Sequence, residues 1–229
     1  MPRHVRGFDA PTAHAYLSKR DRKLGAWMKK VDRLENGPIP TDPRWRQKFD
    51  PVDALARAIL FQQLSGKAAS TIVGRVETAI ASTRLHFDTL GRCDDATLRG
   101  CGVSGNKLLA LRDLAAREER GEIPDLRRMS TMDNDAIIAA LVPIRGIGRW
   151  TVEMMLMFRL GRPDILPVDD LGIRKGAQRV DQLDAMPAPK VLAETGERWG
   201  PYRSYASLYL WRIADIADGP KTKVNRSQD

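Results

Sequence analysis

The chain has 229 residues, with 38 Lys and Arg against 29 Asp and Glu, a formal net charge of +9 and a pI near 9.8. An apolar fraction of 42% and a charged fraction of 29% are globular values that exclude a wholly disordered chain, and the length suits one large domain or two small ones. No run approaches the roughly 18 apolar residues of a spanning helix. The first residues lack the apolar stretch of a signal peptide, and Cys93 and Cys101 cannot hold an iron–sulfur cluster or a four-thiolate zinc. A soluble chain of a reducing cytoplasm is expected, with no membrane partner. The basic excess points to a polyanion, above all nucleic acid. The three histidines, His4, His14 and His86, have no ligand spacing and read as surface residues.

The apolar pattern is helical almost throughout. Leu24, Trp27, Met28 and Val31 share one helix face, as do Val52, Leu55, Ala56, Ile59 and Leu60 after Pro51. Ser65 and Gly66 break the pattern and open a helix carrying Ala69, Ile72, Val73, Val76 and Ile80. Leu108, Leu111 and Ala115 mark a helix begun near Ser104 or Asn106, and Asp133 caps another through Ile137, Ile138, Leu141 and Val142. Trp150, Met154, Met157 and Phe158 mark the next, while Tyr205–Ala217 is apolar on most sides and predicts a buried helix. No alternating strand pattern appears, and the fold class is all-α. Pro38–Pro51 reads as an extended connection, Gly161–Asp170 as an irregular segment between helices, and the tail from Asp218 as frayed.

Chemistry concentrates in Leu141–Phe158. A helix ends at Pro143, Ile144-Arg145-Gly146-Ile147-Gly148-Arg149 follows, and a second helix begins. Two glycines around one apolar residue permit a tight hairpin and close approach of its backbone to a partner. The hairpin feeds into a helix N-terminus, where unpaired amides and the dipole favour an anion. Gly146, Gly148, Arg149 and Thr151 are the expected phosphate contacts. A dinucleotide fingerprint is excluded, because Thr151 stands where its third glycine belongs and a helix, not a strand, precedes the turn. Further on, Asp169 and Asp170 follow Pro167. Adjacent acids in a basic, phosphate-binding chain need a reason. One is capping the helix that begins LGIRKGAQR; another is orienting water and stabilising positive charge developing on a sugar. The two residues can divide these tasks.

The Ile-x-Gly-Ile-Gly-x-Trp-Thr hairpin with Pro-Val-Asp after the next helix resembles the helix-hairpin-helix DNA glycosylases, in particular the alkylbase branch of 3-methyladenine DNA glycosylase II. Ile59–Ala69, Gly100–Ala115 and Arg198–Trp211 are similar to other segments of that family, in the same order, and the likeness spans Val52 to Ile216. The resemblance implies two helical lobes with a cleft between them. Residues 1–45 with 165–229 form one lobe, and 46–164, with the hairpin 143–149, the other. It implies the compact form, with no room for the β-rich N-terminal domain of some members.

The family's catalytic Asp maps to Asp169, with Asp170 as second choice. The lyase branch carries a nucleophilic Lys where this chain has Trp150, so monofunctional hydrolysis is implied: the N-glycosidic bond is cut and an abasic site remains. Alkylated bases such as 3-methyladenine and 7-methylguanine are cationic and leave readily. Trp150, Trp211 and Tyr205 are candidates for a pocket that stacks on the flipped base. Gln63, Leu64 and Ser65 are the candidate wedge filling the vacated stack. The resemblance alone suggests that the carbonyls of Val142, Ile144 and Ile147 hold a structural monovalent cation; no other cofactor is expected. Lys67, Lys107, Arg145, Arg149 and Arg203 are further candidates for phosphate contact, and Met154, Met155 and Met157 read as helix core. The partner implied is damaged double-stranded DNA of the genome, in nucleoid or nucleus, bound by a monomer. The rival readings are a hairpin module that binds DNA without catalysis and a glycosylase for a neutral deaminated or oxidised base.

Overall fold

The computed structural model describes residues 7–39, 41 and 48–216. Every regular element among them is helical, and among them no helix is long and apolar enough to cross a membrane. The chain forms two compact units: Met1–Phe8 with Asp42–Arg162, and Asp9–Thr41 with Pro163–Asp229. Gly7 and Phe8 thus fall with the central unit rather than with the chain's end, and Gly7 N–H donates to Gly161 O at 2.9 Å.

The central unit contains α3 (Pro51–Phe61), α4 (Gly66–Ala79), α5 (Phe87–Leu90), α6 (Asp95–Gly100), α7 (Gly105–Glu119), α8 (Leu126–Met129), α9 (Asn134–Leu141) and α10 (Arg149–Phe158). The other unit contains α1 (Ala10–Arg20), α2 (Arg22–Leu34), α11 (Leu171–Asp181), α12 (Pro189–Gly196), a 3-10 turn at Glu197–Trp199, and α13 (Arg203–Asp215). The long periodic stretches appear as helices where the apolar spacing places them. Ala217, the tail and residues 40 and 42–47 of the proline-rich connection lie outside the described residues.

Aspartate starts most of these helices. Asp9, Asp21, Asp50, Asp94, Asp125, Asp133 and Asp170 each accept a first-turn amide with a side-chain oxygen, and Ser65 does the same for Ala68. Each such bond satisfies a donor the helix cannot, and the negative charge suits the positive end of the dipole. The short helices α5, α6, α8 and α12 span four to eight residues. They are set by caps or a leading proline rather than by a periodic apolar face.

Leu55, Ile59, Leu60, Val76, Leu98, Leu111, Leu114, Ile137, Leu141 and Leu156 fill the core of the central unit. His86 is buried there, not at the surface. Its ring joins three elements, with Nδ1 on Glu118 of α7 at 2.5 Å and Nε2 on Asp50, the cap of α3, at 2.8 Å, while His86 itself begins α5. Burial opposes the imidazolium, but Glu118 and Asp50 outweigh it and hold the pKa above the ordinary histidine value. Arg162 is also buried, donating to the carbonyls of Met129 and Met132 at 2.8 and 2.9 Å.

In the other unit, α11 and α13 pack with almost no side chain between them. A Cβ on Gly176 would stand 2.1 Å from Leu210 O, and one on Gly172 would stand 2.8 Å from Trp211 Cδ1. Trp199 is fully buried and donates its Nε1–H to Asp21 Oδ2 at 2.8 Å. Arg198 bridges Asp21 and Asp181 at 2.9 and 2.7 Å.

Gly176→Ala should destabilise the protein by about 1–3 kcal/mol, because the backbone of α13 cannot yield as a side chain would; denaturant unfolding measures this. A histidine whose pKa is raised on folding contributes stability below its unfolded value of 6.5 that is lost as pH rises through the folded value. The melting temperature should therefore fall with rising pH above neutrality, and His86→Gln should flatten that dependence.

Candidate functional site

The hairpin between α9 and α10 is pinned from below by Ile144 and Ile147, which are 2% and 3% exposed. Gly146 adopts φ +78°, a region side chains avoid, and a Cβ there would meet Ala110 of α7 at 3.1 Å. The turn closes through Ile147 N–H to Ile144 O at 3.0 Å.

Three more polar groups of the turn are met by neighbouring elements. Asp113 of α7 accepts the Arg145 amide at 2.8 Å, Arg117 of α7 donates to Pro143 O at 3.1 Å, and Gln62 Nε2 donates to Gly146 O at 2.7 Å. Asp113 also receives Arg117 Nε at 3.0 Å. Partial burial tends to raise the Asp113 pKa, but the Arg145 amide and the Arg117 guanidinium outweigh it and hold the carboxyl below the usual range. Gln62, Asp113 and Arg117 were not recognisable in sequence: an acid and a base four apart on a helix usually mark a solvated face.

At the start of α10 the N-cap is Gly148, which supplies no side-chain cap, and space around its Cα is open. An uncapped helix start of this kind is one that an external anion can approach. Arg149 is committed on one edge, with Nε on the buried Glu153 at 2.9 Å. Thr151 lies beside Trp150 in a neighbouring groove rather than at the hairpin tip.

That groove has a volume of about 490 Å³ and lies between α3 and α10. Phe61, Gln63, Trp150, Met154, Met155 and Phe158 are among its lining. Trp150 is 49% exposed, unusual for so large an apolar ring unless it meets a partner. Met155 and Met157 are buried as expected, with Met155 also bordering the groove, whereas Met154, expected as core, lines it without being buried. At its end Gln63 takes φ +56° and Leu64 is 40% exposed. Ser65 is occupied as the cap of α4. Gln63, Leu64 and Ser65 are all exposed at this turn, with the Ser65 hydroxyl engaged as a cap.

In the other unit the loop before α11 is laced to the start of α13. Ser204 N–H donates to Pro163 O, Ser204 Oγ accepts Ile165 N–H, both at 3.0 Å, and Ser207 Oγ donates to Ile165 O at 3.3 Å. Arg203 clamps Asp164 bidentately at 2.7 and 2.8 Å and reaches Glu197 at 2.7 Å, so this expected phosphate contact is a loop fastener instead. The loop ends in a turn closed by Asp170 N–H on Pro167 O at 3.1 Å. Asp170 Oδ1 accepts both the Ile173 amide and Trp211 Nε1–H, each at 2.9 Å. Asp169, one residue earlier, is exposed. Tyr205 is fully buried, with its hydroxyl on Ile39 O at 3.2 Å and its ring edge-on to Tyr209. It belongs to the core, which removes it from the base pocket. Trp211 is only partly buried.

The carbonyls of Val142, Ile144 and Ile147 are hard oxygen donors of the kind a monovalent cation takes; that of Ile144 already accepts one amide. No cluster of His, Cys, Asp and Glu suited to another metal occurs among the described residues.

Asp113→Ala should accelerate hydrogen exchange of the Arg145 amide about 10- to 100-fold, since a bond to a charged acceptor contributes about 1.5–3 kcal/mol. The Ala110 and Leu111 amides of α7 should be unaffected.

Residues 56–201 match the HhH-GPD superfamily of base excision DNA repair proteins. The chain is 36% identical over 181 residues to DNA-3-methyladenine glycosylase 1 of Schizosaccharomyces pombe, covering 78% of each chain. It is 31% identical over 211 residues to the alkylbase DNA glycosidase-like protein mag2 of the same yeast, covering 91% of this chain and 95% of that one. Its fold is similar to the crystal structure of a DNA-3-methyladenine glycosidase from Bacillus halodurans, with a TM-score of 0.78, 33% identity and 91% of each chain covered. It is also similar to S. pombe Mag1 in complex with abasic DNA, with a TM-score of 0.72, 31% identity and coverage of 90% and 98%. With the hairpin, the loop acids and these likenesses together, the chain belongs to the HhH-GPD superfamily of base excision DNA repair proteins.

Proposed function

We propose that the protein is a monofunctional DNA glycosylase that removes alkylated, cationic bases such as 3-methyladenine and 7-methylguanine from damaged double-stranded DNA. Such an enzyme works on genomic DNA, in a nucleoid or a nucleus. The observation that carries the reading is the unequal state of the two loop acids. Asp170 is engaged by the α11 amide and by Trp211, whereas Asp169 stands exposed on a fastened turn. Aspartate in this chain repeatedly serves as a cap, and Asp169 is the one of the pair that does not.

The chemistry follows from the lesion's charge. As the bond between C1′ and the base nitrogen breaks, its electron pair leaves with the base, which departs neutral. The sugar becomes oxocarbenium-like, and a carboxylate beside it stabilises that charge. Water adds at C1′ and gives its proton to Asp169, leaving an abasic site. Trp150 occupies the position where the lyase branch carries its lysine. It offers no amine for a Schiff base, so the backbone is not cut. Its exposed ring supplies an electron-rich face for a cationic base. Gln63 or Leu64 fills the space the base vacates. The first amides of α10 hold a backbone phosphate, and the carbonyls of Val142, Ile144 and Ile147 would hold a monovalent cation that helps neutralise it.

Asp169→Asn should lower release of 3-methyladenine from methylated duplex DNA at least ~100-fold while leaving the melting temperature unchanged. The wild type should break the strand only after alkali. Full activity in the variant would remove Asp169 from the mechanism; strand breaks without alkali would remove the monofunctional assignment. Asp170→Ala should instead lower stability by about 0.5–2 kcal/mol through loss of the cap.

A further inference from the structure

A second cavity of the central unit borders the Gln63 turn and the hairpin, and most of its lining is not used above. It holds about 390 Å³ between the Gln62–Gln63 turn, the first turn of α7 and Gly146 of the hairpin. Gln63, Ser104, Asn106, Lys107 and Arg145 line it, and no acidic residue does. The missing acid is notable because arginines elsewhere in this unit have carboxylate partners: Arg57 with Asp53, Arg112 with Asp95, Arg117 with Asp113 and Arg149 with Glu153. Among the described residues neither Lys107 nor Arg145 makes an ion pair.

Lys107 is partly buried, and its Nζ is aimed by a hydrogen bond of 2.7 Å to Leu60 O near the end of α3. That bond uses one of three ammonium hydrogens. Burial pushes its pKa below the ordinary lysine value, so its charge is held against a desolvation penalty that no acid offsets. The charges also sit at the wrong end of a helix. The dipole of α7 is positive at Gly105, where cations are unfavourable and an anion is welcome. Arg99 adds a third cation there, because a Cβ on Gly105 would stand 2.9 Å from its guanidinium. The N-cap Ser104 makes no side-chain cap bond, so the first amides of α7 are not met by that hydroxyl. Uncompensated cations, a helix start without a side-chain cap and a cavity without an acid are together unfavourable until an anion binds.

We propose that this cavity seats a backbone phosphodiester of the bound duplex, a second phosphate seat apart from the one at the start of α10. Lys107 and Arg145 supply the charge and the first turn of α7 supplies amide donors. The volume admits the attached sugar beside Gln63 and Asn106. The seat adjoins the turn carrying Gln63 and Leu64, so it fixes the duplex where the stack is opened. This inference rests on the DNA-binding reading above.

The test is the salt dependence of binding to an undamaged duplex, followed by fluorescence anisotropy over a range of KCl. Each phosphate neutralised contributes about 0.9 to the slope of log K against log salt. The double variant Lys107→Gln/Arg145→Gln should lower the slope by about 0.9 and weaken binding at low salt about 10-fold. Arg145→Gln alone, at an exposed side chain that leaves the Lys107 bond intact, should shift the slope in the same direction. Arg127→Gln, an exposed charge on α8, should leave it unchanged. A steep wild-type slope that the double variant keeps would overturn the second seat and leave the glycosylase reading standing. Absence of salt-dependent duplex binding by the wild type would overturn both. Inorganic phosphate that shifts the Asn106 and Lys107 amide resonances, together with an unchanged slope in the double variant, would assign the cavity to a free anion and overturn the proposal.

Discussion

A hairpin that offers its amides to a ligand cannot satisfy its own backbone, and much of the central unit is arranged around that constraint. The turn makes one internal bond, Ile147 to Ile144. Three of its remaining polar groups are met from outside, by Asp113 and Arg117 of α7 and by Gln62 at the end of α3. These partners are themselves held: Asp113 and Arg117 bind each other, and Lys107 ties α7 to Leu60 of α3. Buried Ile144 and Ile147 supply the apolar anchor. The turn is shaped before any partner arrives, and it leads into a helix start that has no side-chain cap. A preformed anion site does not spend binding energy on ordering its own loop.

The other unit solves a matching problem, which is to hold an acid exposed but still. Asp169 is exposed and does not cap α11, so its own side chain does not fix the turn. The fixing is done by its neighbours. Ser204, Ser207 and Arg203 of α13 fasten the preceding loop, and Asp170 anchors the following helix and orients Trp211. Of the adjacent acids, puzzling beside so much positive charge, Asp170 is a structural carboxylate and Asp169 is left exposed, as the proposed mechanism requires.

The architecture was largely legible in the sequence because its long helices carry apolar residues at helical spacing and begin at recognisable caps. Asp133 and Ser65 are where a reader would place them. The short helices were not legible, because four to eight residues do not complete an amphipathic pattern and their existence depends on what they pack against. The hairpin and Asp169–Asp170 stood out because glycine pairs and adjacent acids have few neutral explanations. Tyr205 and Arg203 misled for the opposite reason: nothing local distinguishes a tyrosine lining a pocket from one bonded to Ile39 in the core, or an arginine awaiting phosphate from one clamped by Asp164. Asp113, Arg117 and Gln62 escaped notice because their partners are backbone groups about 30 to 80 residues away. His86 escaped because its two acids come from different helices.

The close approach at Gly172 and Gly176 places the backbone of α11 almost directly on α13. Two helices joined this way move as one piece, so the spacing between the Asp169 turn and the Trp211 ring is a fixed length in this enzyme. The groove beside Trp150 is bounded instead by methionines, whose unbranched side chains reshape at little energetic cost. The groove wall on α10 is therefore adaptable, while the Asp169 turn and the Trp211 ring keep a constant spacing. Exchanging Met154 would reshape that groove without touching the packing of α11 on α13.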